Sequence, residues 1–311
     1  MGAVLSVSEL RKTYEIRRTP FSVHKETIRA VDSVSFELEQ GHTLGLVGES
    51  GCGKSTVARC ITMLEKPDQG RILFMGHDWV NMAESQRKDL RKEMQIIFQD
   101  PFSSLNPRKR VLDTIAEPLV THRMVEKGGL AERVLEVLKS VGLDEDFLNK
   151  FPHEMSGGQR QRVAIGRALA TSPSFIVADE PVSSLDVSVQ AQIINLFLDI
   201  REQFRISMLF ISHDLNIVRF ISDRIMVMYR GRIVEMGGKE EIFSHPTHPY
   251  TRLLMRATST VEIEGEGEGV PSKDCCGFLE RCSEKKEMCK NDVPMLRGPT
   301  SHRVACFLSP E

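Results

Sequence analysis

Gly48-Glu49-Ser50-Gly51-Cys52-Gly53-Lys54-Ser55-Thr56 matches the pattern G-x-x-x-x-G-K-S/T, and each fixed position has a chemical reason. Glycines let backbone N–H groups crowd round a phosphate without Cβ clashes. Lys54 can reach terminal phosphates as a point charge, and the Ser55 hydroxyl is placed to ligate Mg²⁺. The flanks supply the context such a loop needs. Thr43–Val47 reads as a buried strand, and residues 57–64 as the helix whose N-terminus faces the anion. Together these residues imply a nucleoside triphosphate site.

Two further constellations carry chemistry. Ser156 is a good N-cap for a helix running through Val163 to Ala170, and Gly157 and Gly158 leave its first N–H groups exposed, with Gln159 and Arg160 following. A capped helix and a second phosphate-binding terminus explain these residues equally well; the macrodipole alone would contribute ~0.3–1 kcal/mol per charge. Residues 175–180 form an apolar strand ending in two carboxylates. Asp179 is placed to hold Mg²⁺, and Glu180 to polarise an attacking water. His213 closes the next strand, where it could hydrogen-bond a γ-phosphate, although a lone histidine there is more often structural.

The elements that must position these groups are legible as periodicity. Residues 5–14 look like an edge strand ending in Tyr14, residues 15–27 like a polar insertion loop, and residues 30–38 like a half-exposed antiparallel strand. Short strands are expected at 71–75 and 93–98. Residues 111–141 turn helical, with Ala131, Val134, Leu135, Leu138 and Val141 as one apolar stripe. Strands at 174–178, 206–211 and 224–229 alternate with helices at 187–204 and 214–221, which predicts an α/β core with a parallel sheet.

Composition sets the outer bounds. The 311 residues, 41% hydrophobic and 27% charged, suggest one large domain with an appendage. A net charge of -2 gives no global pull toward nucleic acid. No apolar run approaches the ~18–20 residues that cross a bilayer, and no signal-peptide core is visible, so a soluble cytoplasmic protein is expected. Of seven cysteines, Cys52 and Cys60 lie near the phosphate loop and five fall between 275 and 306. The acidic glycine-rich stretch 259–270 reads as a flexible linker, separating residues 1–258 from a small module, 271–311. In that module Cys276, Cys282, Cys289 and Cys306 are separated by five, six and sixteen residues. Zinc ribbons pair cysteines more closely, whereas four thiolates suit an iron–sulfur cluster offset by Arg281, Lys290 and Arg303. Cys275 competes with Cys276 as first ligand, and a tail of reduced, unliganded cysteines is the alternative.

In order, the phosphate loop 48–56, Gln99, residues 156–160, the strand 175–180, Ser183-Ser184-Leu185-Asp186 and His213 resemble the nucleotide-binding subunits of ATP-binding cassette (ABC) transporters. The resemblance implies a P-loop NTPase (RecA-like) core with an antiparallel β subdomain. It also implies a helical signature subdomain at about 101–165 and a small cysteine-rich C-terminal extension. It implies that Tyr14 stacks on adenine, that Gln99 contacts Mg²⁺ and the membrane partner, and that Ser156, Gly157, Gly158 and Gln159 act on ATP held by a partner chain. Asp186 would couple the two sites. Met155 stands where Leu is usual and Ser184 where Ala is usual; both keep the polar chemistry. Four segments narrow the likeness to dipeptide, oligopeptide and nickel importers. They are the insertion after Tyr14, residues 99–107, Phe151-Pro152-His153-Glu154, and residues 245–251. That likeness implies ATP, Mg²⁺ and a 4Fe–4S cluster as cofactors. Its implied partners are a second related ATPase subunit or a second copy, two membrane permease subunits and an external binding protein, at the cytoplasmic face of the membrane. Peptides are the expected cargo, with nickel, opines or oligosaccharides as alternatives. A cassette ATPase acting on DNA or ribosomes fits less well, since one cassette and no heptad run are present.

Overall fold

The computed structural model describes residues 2–17, 25–260 and 275–308. Its strands are β1 (Ala3–Arg17), β2 (Lys25–Glu39), β3 (Thr43–Val47), β4 (Gln69–Phe74), β5 (His77–Asp78), β6 (Met94–Ile97), β7 (Phe175–Asp179), β8 (Ser207–Ser212), β9 (Arg224–Tyr229), β10 (Arg232–Gly238) and β11 (His302–Val304). The helices that bear on the site are α1 (Lys54–Ile61), α2 (Val111–Thr121), α3 (Leu130–Ser140), α4 (Gly157–Leu169) and α5 (Val187–Phe204). The chain divides into two compact units. One comprises Met1–Leu5, Glu37–Thr43 and Leu73–Ile211, and the other Ser6–Phe36, Leu44–Ile72 and Ser212–Glu311.

In the first unit β6, β7 and β8 run parallel, with Ile97 beside Ala178 and Ala178 beside Phe210. Every residue of β7 and β8 is buried. Strands covered on both faces need no polar side, which is why their sequences read as near-continuous apolar runs. Phe197 of α5 packs edge-on against Phe210 at 5.6 Å. The helical segment forms as expected, but its buried face differs. Ala131 is exposed and Leu135 half-buried, whereas Val137 joins Val134, Leu138 and Val141 inside. The inward residues pack against α4: a Cβ at Gly166 would stand in ordinary contact, 3.5–3.6 Å, with Ile115, Val137 and Val141.

In the second unit β1 lies between β2 and β4, so it is an interior strand and not the expected edge. Neither β1 nor β2, the half-exposed strand expected at 30–38, alternates strictly. Val7 and Leu10 are both buried, as are Val31 and Val34. A three-residue step between inward side chains requires an extra residue, and Glu9 (φ 50°) and Ser33 (φ 55°) supply it in left-handed conformations. The stretch read as an insertion loop is strand at both ends, since β1 reaches Arg17 and β2 starts at Lys25; residues 18–24 lie outside the described residues. The helix Pro249–Thr260 takes up the start of the expected linker, and residues 261–270 lie outside the described residues. β3 pairs parallel with β9, then β9 with β10 and β10 with β11 antiparallel. β10 and β11 escaped the sequence reading; β11 brings the cysteine-rich segment onto the sheet. No helix among the described residues is long and apolar enough to cross a membrane.

Candidate functional site

The phosphate loop joins β3 to α1 in the second unit, and its glycines answer to steric demands. At Gly48 a Cβ would lie 2.2 Å from the Met228 carbonyl oxygen. Gly53, with φ 110°, would place one 2.0 Å from the Ala30 carbonyl oxygen. No other residue fits either position. Gly51 also has positive φ, while Cys52 is buried, its carbonyl accepting the Gly231 N–H at 2.8 Å. Burial pushes the Cys52 thiol pKa up, so it is a packing residue. Lys54 is buried at the first turn of α1, and Nζ donates to the carbonyls of Gly48 (2.8 Å) and Glu49 (3.0 Å). The loop thus curls round the ammonium. Ser50 is exposed on the loop, and Ser55 and Thr56 follow Lys54 half-buried on α1. The Tyr14 hydroxyl donates to the Glu65 carboxylate and lies within hydrogen-bonding range of Thr56, which sets Tyr14 beside α1. Burial, and then the Glu65 contact, raises its pKa. His213, near the start of this unit's C-terminal stretch 212–311, is exposed.

The first unit carries the carboxylates. Asp179, the last residue of β7, is buried, and Glu180 follows with φ 48°, a conformation that costs a non-glycine residue about 1–2 kcal/mol. It is held there by its N–H to the Ile211 carbonyl (3.0 Å) and by Ser183, whose N–H (3.3 Å) and hydroxyl (3.1 Å) reach the Glu180 carbonyl. Gln99 Nε2 donates to Glu180 Oε2 at 3.2 Å, so two residues 81 apart in sequence are brought together.

Ser156 caps α4 reciprocally: its Oγ accepts the Gln159 N–H (3.3 Å), and Gln159 Oε1 accepts the Ser156 N–H (2.9 Å). Met155, where Leu is usual, is buried. Gly157 sits under Leu185, and a Cβ on Gly158 would meet Val189 Cγ1 at 2.6 Å, because α5 begins against it. Asp186 caps α5, accepting from the Val189 N–H (3.0 Å) and the Ser188 hydroxyl (2.7 Å). Those bonds, Ser188 first, hold its carboxyl below the usual range. Ser184 lies in the turn between Glu180 and this cap.

Two residues were missed as parts of this machinery. Tyr250 Oη accepts the Glu49 N–H at 2.9 Å, and Arg281 grips the Glu49 carboxylate with two bonds of 2.8 Å. In sequence Arg281 is visible only as a neighbour of cysteines, since a contact across 232 residues leaves no periodic trace.

The iron–sulfur expectation is not supported. Cys276 is pushed up to about 11, by burial first and then by the neighbouring thiols of Cys289, Cys306 and Cys282. The sulfurs of Cys289 and Cys306 each accept a backbone N–H at 3.4 Å, from Lys286 and Leu308. Yet among the described residues no group of three or more His, Cys, Asp or Glu side chains is arranged to hold a metal ion. The four cysteines share a neighbourhood without forming a ligand set, burial favours the neutral thiol at Cys276 and Cys306, and Cys275 completes none.

Residues 31–183 match the ABC transporter family, and residues 234–289 match the oligopeptide/dipeptide transporter C-terminal region. The oligopeptide transport ATP-binding protein AppF of Bacillus subtilis is 46% identical, with 98% of this chain and 97% of that protein aligned. The di/tripeptide transport ATP-binding protein DppF of Pseudomonas aeruginosa is 42% identical, with 98% of each chain aligned. Among solved structures, the dimeric post-hydrolysis state of the ATP-binding cassette MJ0796, bound to ADP and Pi, superposes with a TM-score of 0.66 at 29% identity. It covers 76% of this chain and 98% of that one. The cbiO1 subunit from Clostridium perfringens, part of the ABC transporter complex cbiONQ, gives 0.66 at 26% identity, with 83% and 95% covered. This chain belongs to the ATP-binding subunits of ABC transporters. It is an ATPase with the P-loop fold of that family and mixed α/β sheets.

Proposed function

We propose that this subunit powers import of dipeptides or oligopeptides through a membrane transporter, by closing on ATP with a second ATPase subunit and reopening on hydrolysis. The full-length likeness to peptide-transport subunits carries this reading, because it spans the transporter-specific C-terminal region as well as the cassette. Nickel, opine and oligosaccharide cargoes have no comparable support.

Each residue's assigned role follows from its chemistry. Lys54, with the N–H groups of 48–56, would neutralise phosphate charge, Tyr14 would stack on adenine, and Ser55, Gln99 and Asp179 would hold Mg²⁺, which would supply further charge neutralisation. Glu180 orients and deprotonates the attacking water, and His213 donates to the γ-phosphate. Phosphoryl transfer asks for positioning and electrostatics more than covalent help, which matches a carboxylate locked by its backbone. Ser156, Gly158 and Gln159 would present α4 to ATP bound by a partner, and Asp186 would sense that partner. Two permease subunits and an external binding protein complete the assembly, with this subunit peripheral on the cytoplasmic face. The domain division proposed is 1–258, 259–270 and 271–311. The iron–sulfur cluster forms no part of this function; iron and sulfide analysis of anaerobically purified protein tests it separately.

Co-expression with the neighbouring membrane subunits is the test. A complex that purifies intact and hydrolyses ATP faster with peptide-loaded binding protein is the expected result. Stimulation by a nickel chelate or an oligosaccharide instead of peptide would contradict the cargo assignment.

A further inference from the structure

We infer that Arg281 is a positioning residue for ATP, which neutralises and fixes the phosphate loop's own carboxylate, Glu49. Glu49 is an adverse residue in a loop that must receive a polyanion. Its carboxylate lies within a Debye length of anything the loop binds, where an uncompensated negative charge repels phosphate. Arg281 answers it with a two-pronged pair, Nη1 to Oε2 and Nη2 to Oε1, both 2.8 Å. The arginine side chain is 16% exposed and the glutamate 29%, so water screens the pair only in part. The guanidinium also lies 5.8 Å from the ring centres of both Tyr229 and Phe278. Phe278 is buried, 5.3 Å from the Tyr229 ring and 5.5 Å from that of Tyr250. Tyr250 in turn accepts the Glu49 N–H. One loop residue is therefore held twice, at its backbone by Tyr250 and at its side chain by the cysteine-rich segment.

The segment is itself anchored. β11 pairs with β10, and His302 Nε2 lies 2.7 Å from the wholly buried Glu235 carboxylate. That carboxylate also accepts the N–H groups of Thr247 (2.8 Å) and His248 (2.9 Å). Arg281 thus projects from a fixed base, and through it the C-terminal segment sets the charge of the nucleotide site.

The inference rests on ATP binding at residues 48–56, and equilibrium binding of ATP to the full-length protein separates the two claims. Wild type should bind ATP; if it does not, the nucleotide assignment itself fails. Arg281→Gln should weaken ATP about tenfold, as expected for one uncompensated charge near the phosphates. Arg281→Lys, keeping the charge, should stay within about threefold of wild type. The double variant Glu49→Gln/Arg281→Gln should recover to within about threefold, because the repelling charge is gone. Unchanged binding by Arg281→Gln overturns the inference. So does a double variant as weak as Arg281→Gln, which would mean that the arginine serves only to hold the segment in place. Should Arg281→Gln not fold, the lysine and double variants decide by the same readout.

Discussion

Glu180 is the residue at which structure and chemistry meet most tightly. A non-glycine residue with φ 48° persists only where its surroundings over-determine it, and Ile211, Ser183 and Gln99 do so here. Glu180→Gln keeps that geometry but removes the carboxylate proposed as the base. Turnover should fall at least ~10²-fold while ATP binding survives, as measured by steady-state hydrolysis and nucleotide binding on the same preparation. His248 makes a different prediction. Burial, and then the charge of Arg252, lowers its pKa to about 4, and its Nδ1 accepts the Tyr250 N–H at 3.1 Å, so the folded protein holds it neutral. An unfolded histidine takes up a proton below about pH 6.5. Its contribution is therefore present above pH 6.5 and lost as pH falls toward 4, on the order of 3 kcal/mol in all. Denaturant titrations across that window should show the slope, and His248→Asn should flatten it. At this scale the positions of Lys54 and Ser55 at the start of α1, and of Asp179 and Glu180 at the end of β7, were legible in the sequence. It was silent on Tyr250 and Arg281, whose roles arise from contacts 201 and 232 residues away.

Among the elements, α4 and α5 show how a short motif can be constrained by packing as well as by ligand. Gly158 faces Val189 so closely that a Cβ would stand 2.6 Å from Cγ1, and valine on a helix has no spare rotamer to retreat into. Gly158→Ala should destabilise the protein by about 1–3 kcal/mol through overpacking. Adding Val189→Ala should restore much of that loss, read as the coupling in a thermal-denaturation cycle. The cap at Ser156 was foreseeable from one residue type followed by Gln three positions later, because the reciprocal bonds are local. β7 and β8 were foreseeable from their apolar runs. β1 and β2 were harder: bulges at Glu9 and Ser33 convert the expected period of two into a step of three, and nothing in the composition announces them. The inward turn of Val137 likewise reflects packing against another helix, where it lies beside Gly166.

For the whole molecule, the C-terminal segment is where sequence reading went furthest astray. Five cysteines within 275–306 drew attention to metal chemistry. The structure instead gives the segment an aromatic and ionic attachment through Phe278, Arg281 and His302. Removing His302 leaves the buried Glu235 with backbone donors only. His302→Ala should therefore cost about 1–3 kcal/mol in chemical denaturation. That residue supplies no phosphate contact, so ATP affinity should change far less than with Arg281→Gln. The central claim, that hydrolysis by this subunit drives peptide import, is tested most directly in sealed membrane vesicles containing the assembled transporter and its binding protein. With ATP on the side of this subunit, labelled dipeptide or oligopeptide should accumulate against its gradient with wild-type protein and not with Glu180→Gln. Equal accumulation with both proteins would contradict it.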